Sequence, residues 1–360
     1  MKRLVLFLFL VPSYFLSAQS LQLSELGLAA PKVNCTSVKD QYMSSTCWSF
    51  SSVSFLESEI IKNGKGKLDL SEMFIARYSM MRKIERHLAL KGSNYFTPGG
   101  QFHDVMWVIK NYGIVPESVY SGKGQNEMNH NHAEMDTVLS QFVRDCIQYG
   151  IYSVSDEQRA QLDSLFDFYY GVVPKKFVYN GKEYTPKAFA TDYLQLNADD
   201  YAEITSYTHH PFYRSFVLED KYNWTGDAYY NVPLNEFSSI TDHALQNGYT
   251  VGWDGDARDD GFHYYDGLAY LPDGIKSDQL SRQTAFMDQS TLLDHMMHIT
   301  GVTKDKFGKK WYYIKNSWGD YSNLLHGFIF MREDYFKIRT VAIIVNKKAV
   351  PVEISKKLKW

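Results

Sequence analysis

Helical and strand patterns occupy opposite ends of this chain, and that segregation limits the fold more than any other feature. Residues 47–62 carry Phe50, Val53, Leu56 and Ile60 on one stripe, with Thr46 placed to cap the start and Asn63-Gly64 to stop the run. Residues 71–91 read as a second helix, with Ser71 as its cap and Glu72 inside the first turn. A third, over residues 101–112, follows the breaker Pro98-Gly99-Gly100. From about Tyr249 the pattern changes to short runs between turn residues: YTVGWD, YYDGLAYLP, MMHITGV, KWYYIKNS, GFIFM and TVAIIVN. Residues 120–245 show few clean periods. Helices first and strands later describe an α+β protein with two packed lobes, and the cleft between them is the expected place for a site.

Composition narrows the classes further. At 44% hydrophobic and 22% charged, the chain is globular rather than disordered. A net charge of −3 with both signs interspersed offers nothing to nucleic acid, and the terminal SKKLKW reads as a solvated end. The start, MKRLVLFLFLVPSYFLSAQS, has two basic residues, an apolar run and small residues at Ser17-Ala18. It reads as a signal peptide over residues 1–18, because the run is shorter than the roughly 20 residues a span needs and Pro12 breaks it. The expected location is therefore periplasmic or extracellular, with no membrane attachment after cleavage. An odd set of three cysteines, Cys35, Cys47 and Cys146, leaves at least one thiol unpaired. Cys35 and Cys146 are either bridged or two buried thiols, and the second reading is preferred.

The stretch DQYMSSTCWSF, residues 40–50, puts Cys47 at the first turn of the 47–62 helix. Unpaired amides there carry a partial positive charge that favours a thiolate. Trp48 is expected to pack beneath the helix. Gln41 lies just before it, where its side-chain amide and the Cys47 N–H form a pair of donors for an oxyanion. The base is expected from LDHMMHITGVTKDKFGKKWYYIKNSWGD, residues 293–320, read as strand, turn and strand with Asp305 to Gly308 in the turn. Folding about the midpoint of 305 and 306 sets His295 opposite Asn316, whose oxygen would accept a proton from the ring. Trp318 would shield that bond. His298 is the rival base, but three positions along a strand it faces the other side.

DQYMSSTCWSF, LDHMMHITGV and YYIKNSWGD together resemble the papain-type cysteine peptidases. The resemblance rests on the Gln–Cys spacing, the Asp294-His295 pair with Gly301 beyond it, and the Lys-Asn-Ser-Trp-Gly block. It implies a papain-like two-lobe fold: a helical lobe over about 35–120, an insertion over about 120–245 and a β-barrel-like lobe over about 246–350. It further implies Cys47 as nucleophile, His295 as base, Asn316 as its orienter and Gln41 as oxyanion donor. Gly99 and Gly100 resemble the glycine pair along which such enzymes lay a substrate, and Asp294 and Trp318 join them as lining residues. TPKAFATDYLQL at 185–196, the Gly-Gly-Gln at 99–101 and the ending VAIIVNKKAVP resemble the bleomycin hydrolase/aminopeptidase C branch more closely. Ser44 and Ser45 stand where the papain pattern has a cysteine and a glycine. Members of the branch continue into an arm that enters the cleft and captures the substrate's amino terminus, and this sequence stops at Trp360 short of it. Aminopeptidase and endopeptidase action both stay open, as does the family's ring-shaped homo-oligomer.

The partner implied is a peptide or protein substrate, with no cofactor and no metal. A peptide-binding homologue with little turnover, or acyl transfer to an amine, is the alternative from a different class. Asp254, Asp256, Asp259 and Asp260 suggest calcium, but Arg258 and Tyr265 fall where oxygen donors are needed, so a solvated turn is expected. His130, His132, His209 and His210 are metal-ligand types whose spacing lacks a convincing third ligand. Asn34-Cys-Thr and Asn223-Trp-Thr are glycosylation sequons where the source makes N-glycans.

Overall fold

The helix α2 (Cys47–Lys62), which follows a short α1 (Leu23–Leu26), starts and stops where the residue pattern places it. This computed structural model describes residues 21–32, 34–124 and 128–360, so the leader expected over 1–18 lies outside the described residues. Thr46 occupies the N-cap position of α2, but its hydroxyl pairs with that of Ser44 instead of capping an amide. Every residue from Trp48 to Ile60 is buried, so the helix is enclosed all round, not on one stripe. Four of its five serines, all but Ser58, spend their hydroxyls on partners. Ser49 Oγ donates to Glu72 O at 2.8 Å, Ser51 Oγ to Met297 O at 2.6 Å and Ser52 Oγ to Trp48 O at 2.6 Å.

The helices α3 (Glu72–Ala89) and α4 (Phe102–Asn111) surround α2. Ser71 caps the first by accepting from Phe74 N, and Asp104 caps the second by accepting from Gln101 N. The unpatterned middle supplies α5 (Ala133–Gln148) and α6 (Asp156–Tyr170). Their apolar faces close one hydrophobic cluster with α2, α3 and α4. Residues 177–188 add a hairpin, β1 (Phe177–Tyr179) and β2 (Lys182–Tyr184), and α7 (Pro186–Ala188).

The remaining strands form one ten-stranded sheet. They are β3 (Tyr201–Thr205), β4 (Ser215–Val217), β5 (Ala228–Asn231), β6 (Val251–Gly255), β7 (Phe262–His263), β8 (Leu268–Ala269), β9 (His295–Lys304), β10 (Lys310–Lys315), β11 (Phe328–Arg332) and β12 (Thr340–Asn346). Their order is β4-β5-β3-β12-β6-β9-β10-β11-β8-β7. Three of them come from the stretch read as an insertion, so its second half belongs to the sheet. The helix α8 (Leu234–Gln246) packs on β6 and β9 in a second hydrophobic cluster. Among the described residues, no helix is long and apolar enough to cross a membrane.

The β9–β10 turn differs from the expectation. Lys304 pairs with Lys310 and Trp311 with Thr303, so the hairpin centres near Phe307. Asp305 is the reason: its Oδ1 accepts from both Phe307 N and Lys309 N at 2.9 Å, which lengthens the turn. The register slips again between Tyr313 and Ile314, and Lys315 ends opposite His298.

Asp254 and Asp256 are buried, not solvated. Asp256 Oδ1 accepts from Arg258 N and Asp259 N, and Oδ2 from Leu292 N, all at 2.9 Å. The carboxylate is spent on backbone and braces the corner after β6. Cys35, Cys47 and Cys146 are all free, the first and last buried. His130 and His132 are buried too, and burial pushes their rings down to about 3 and about 4. An unfolded histidine takes its proton near pH 6.5, so acidification below that value favours the unfolded chain until the native ring also charges. The ring nitrogen Nδ1 of His130 has no hydrogen-bond partner, so phenylalanine can replace it without losing a bond there. Urea unfolding of His130→Phe should show a stability loss between pH 7 and pH 5 smaller than the parent's by about 2 kcal/mol. An identical loss in both would mean that His130 is not held neutral.

Candidate active site

Cys47 opens α2 and His295 opens β9, and both line one cleft of about 330 Å³. Gln41, Trp48, Gly99, Gly100, Asp294 and Trp318 line it as well. Asn316, one residue past β10, stands behind His295. The His295 Nε2–H donates to Asn316 Oδ1 at 2.7 Å, and the same oxygen accepts from Ser317 N at 2.8 Å. With Nε2 carrying the proton, Nδ1 keeps the lone pair. The ring of Trp318 lies over that of His295, with centroids 4.6 Å apart and planes inclined by 30°. It covers the buried His295–Asn316 bond as expected.

The contact between His295 and Asn316 forms although the two are not opposed in the ladder. His295 pairs with Gly255 of β6, and His298, not His295, faces the end of β10. Asn316 leaves the ladder after Lys315, its N–H bonding Gly327 O at 3.0 Å, and its side chain reaches back to the ring. His298 points away from the cleft into a buried polar site, where its Nδ1 lies 2.9 Å from Ser54 Oγ and Lys315 Nζ donates to that hydroxyl at 2.8 Å.

Gln41 is fixed by the segment that carries Asn316. Its backbone N–H donates to Ser317 O at 2.8 Å, Asp40 bridges Trp318, and Ser317 Oγ donates to Gln41 Oε1 at 2.7 Å. The oxygen of the amide is thus occupied, which leaves the N–H₂ end as the group offered to the cleft.

Trp48 packs against the glycine pair rather than simply beneath its helix. Its Nε1–H donates to Pro98 O at 3.0 Å, and a Cβ on Gly100 would meet the indole at 2.8 Å. A Cβ on Gly99 would meet the ring of Tyr222 at 2.9 Å. Lys83, buried, donates to Thr97 O at 2.6 Å and to Gly99 O, and loss of solvent pulls its ammonium down to about 8. Asp294 holds the opposite wall: its Oδ1 accepts from Ala257 N at 2.9 Å, and Arg258 Nε lies 3.6 Å from Oδ2. Burial pushes the Asp294 carboxyl up to about 6.

The helix start does not by itself make the sulfur anionic. Burial pushes the Cys47 thiol up to about 12, against the lowering effect of the Met296 and Trp48 backbone amides. Burial also holds the His295 ring down to about 4, against the bond to Asn316. Each group alone is neutral at pH 7. Two other charged groups line the cleft: Asp294, whose carboxylate opposes a thiolate, and Arg258, whose guanidinium opposes an imidazolium.

Ser317, Tyr222 and Lys83 were not singled out in the residue pattern, and Arg258 figured there only as an argument against calcium. Ser317 had a signal, since it sits inside the Asn-Ser-Trp-Gly block. Tyr222 and Arg258 reach the cleft only through the fold.

The sequence profile of the Peptidase C1-like family matches residues 25–360, and the chain belongs to that family. It is 25% identical to an aminopeptidase C of Streptococcus thermophilus, over 88% of this chain and 81% of that protein. It is 26% identical to an aminopeptidase W of Lactobacillus delbrueckii subsp. lactis, over 91% of this chain and 85% of that one. The crystal structure of PepW from Lactobacillus rhamnosis HN001 superimposes with a TM-score of 0.72 at 20% identity, covering 92% of this chain and 85% of that one, which establishes the mixed α+β fold. Membership makes the chain a peptidase of the cysteine type.

The bond from Ser317 to Gln41 yields a test separable from folding. Ser317→Ala should lower kcat/KM by about 10-fold through a loosened amide donor, measured where the variant, with its thermal midpoint lowered by the lost buried hydrogen bond, is still fully folded. Steady-state kinetics within about 2-fold of the parent would mean that Gln41 is oriented by other contacts.

Proposed function

We propose that the chain hydrolyses peptide bonds with Cys47 as nucleophile and His295 as its base, as a cysteine peptidase of the aminopeptidase C type. One observation carries this reading: His295 gives its Nε2 proton to Asn316, which turns Nδ1 into the acceptor in the cleft that Cys47 shares. The Sγ proton passes to Nδ1 as sulfur attacks the carbonyl carbon. The oxyanion is met by the Gln41 amide and the Cys47 N–H. His295 then protonates the leaving amine as the C–N bond breaks. Water, losing a proton to Nδ1, attacks the acyl group, the C–S bond breaks, and the sulfur takes the proton back. Substrate backbone is read along Gly99 and Gly100, whose lack of side chains keeps that wall open. No metal or organic cofactor enters these steps.

The names of the relatives favour removal of amino-terminal residues over internal cleavage. A papain-like division into a helical lobe and a β lobe, with the cleft between them, accounts for the two hydrophobic clusters. The composition of residues 1–18 supports export with cleavage after Ala18.

Four measurements check these statements. Cys47→Ala should lose activity by about 1,000-fold or more, and an epoxide electrophile should label the parent once, at Cys47. A peptide with a free amino terminus should be cleaved at least about 10-fold faster than its acetylated twin, whereas equal rates would point to an endopeptidase. Mass spectrometry of the exported protein should find Gln19 at its start, and an intact Met1 would remove the export reading.

A further inference from the structure

His209 and His210 lack a third ligand in the sequence, and the fold supplies one. They sit on the turn after β3, and Glu219 follows β4. His210 Nε2 lies 2.6 Å from Glu219 Oε1, and His209 Nε2 lies 3.1 Å from Oε2. One ligand atom from each of the three residues falls within 4.8 Å of the others. Among the described residues, this is the group of three such side chains close enough to share an ion. His130 and His132 are not part of it.

Both segments are anchored before any ion arrives. Asn231, fully buried, donates through Nδ2 to the carbonyls of Tyr207, His210 and Pro211 at 2.8, 3.0 and 3.3 Å. Those bonds fix the turn that carries the histidines. Leu218 is buried beside Glu219. The His210 ring stacks on Phe216, with centroids 4.1 Å apart and planes inclined by 22°. The far nitrogen of His209, Nδ1, meets the Gln283 amide, whose Oε1 is 3.4 Å and Nε2 3.0 Å away. Without an ion the nearer Gln283 Nε2 donates to Nδ1; a metal-bound His209 would carry its N–H there and turn to Gln283 Oε1, 3.4 Å away, as its outer acceptor. Two imidazole nitrogens and one carboxylate with an outward side left open match the donor set of zinc in a three-ligand site.

We propose that His209, His210 and Glu219 bind a divalent ion of the zinc class, and that the ion pins the segment forming one wall of the cleft. When the ion binds, it takes the place of the two protons that the histidines share with Glu219. Each neutral ring then carries its proton on Nδ1. The connection to the cleft is short. Asp220 Oδ1 accepts from Tyr222 N at 2.7 Å, closing a tight turn directly after Glu219, and Tyr222 lies over Gly99. Glu219 also lines a groove that shares Tyr222, Arg258, Leu293 and Asp294 with the catalytic cleft.

The test uses the full chain carrying Cys47→Ala, so that zinc cannot be taken by the thiol of the cleft. Calorimetric titration with Zn²⁺ should show one equivalent bound. His210→Ala and Glu219→Gln, each confirmed as folded by circular dichroism, should weaken binding on the order of 10-fold or more. Hydrogen exchange over residues 207–222 should slow on adding Zn²⁺, and should not slow in either variant. No saturable uptake at about 100 µM Zn²⁺, or uptake that both variants leave unchanged, would overturn the site. Binding that leaves exchange over 207–222 unaltered would overturn its effect on the cleft wall.

Discussion

The seating of α2 against β9 is the contact on which the site depends. The helix meets the strand through polar groups: Ser51 Oγ donates to Met297 O, and Ser54 Oγ meets His298 Nδ1. At its far end Glu59 accepts from Asn346 Nδ2 of β12 at 2.6 Å. Buried hydrogen bonds of this kind fix register and rotation far more tightly than apolar contact, because a small slip leaves a polar group without a partner. Cys47 and His295 are the first residues of the two elements so joined. Both side chains therefore stand on the ends of rigid elements, where a loop would hold them less closely.

The same burial governs the chemistry. A half-enclosed cleft denies solvent to the thiol and the imidazole alike, so both stay neutral when considered singly. The Asn316 bond takes Nε2 of the ring and leaves Nδ1 as the acceptor. Lys83 follows the same rule on the other side of the cleft. Taken out of water, its ammonium is satisfied by the carbonyls of Thr97 and Gly99 and so shapes the glycine wall. Behind the site, Lys39 is ringed by Glu57, Asp69 and Glu72, which holds the loop before Gln41 to the helical side.

Much of the fold was readable where one interaction dominated. The positions of α2, α3 and α4 followed from apolar spacing, the Ser71 cap and the flanking breakers, although Thr46 turned out not to cap α2, and the late strands followed from short apolar runs between turn residues. The reading failed where a side chain redirected the backbone. Asp305 lengthened the β9–β10 turn, and a second slip at Tyr313/Ile314 changed the pairing once more. In the middle of the chain α5 and α8 do carry apolar residues at helical spacing, Met135, Leu139 and Val143 in one and Leu234, Phe237 and Ile240 in the other, and went unread; its strands, of three to five residues, are too short to show an alternation. Strand β3 joins the sheet along the edge of β12, and β5 and then β4 add outward from it. The acidic run at 254–260 was misjudged for a related reason. Local spacing cannot show that Asp256 is folded inward onto three backbone amides.

By itself the sequence determined the chemical types: a cysteine at a helix start, a glutamine before it, a histidine opening a late strand and an asparagine just past the next. These follow from local rules of capping, spacing and residue chemistry, which act over a few positions. Tertiary structure alone decided which atoms meet. It put Tyr222 over Gly99, tied Ser317 to Gln41 and closed Glu219 onto two histidines, since such contacts join segments whose separation along the chain carries no information about their distance in space.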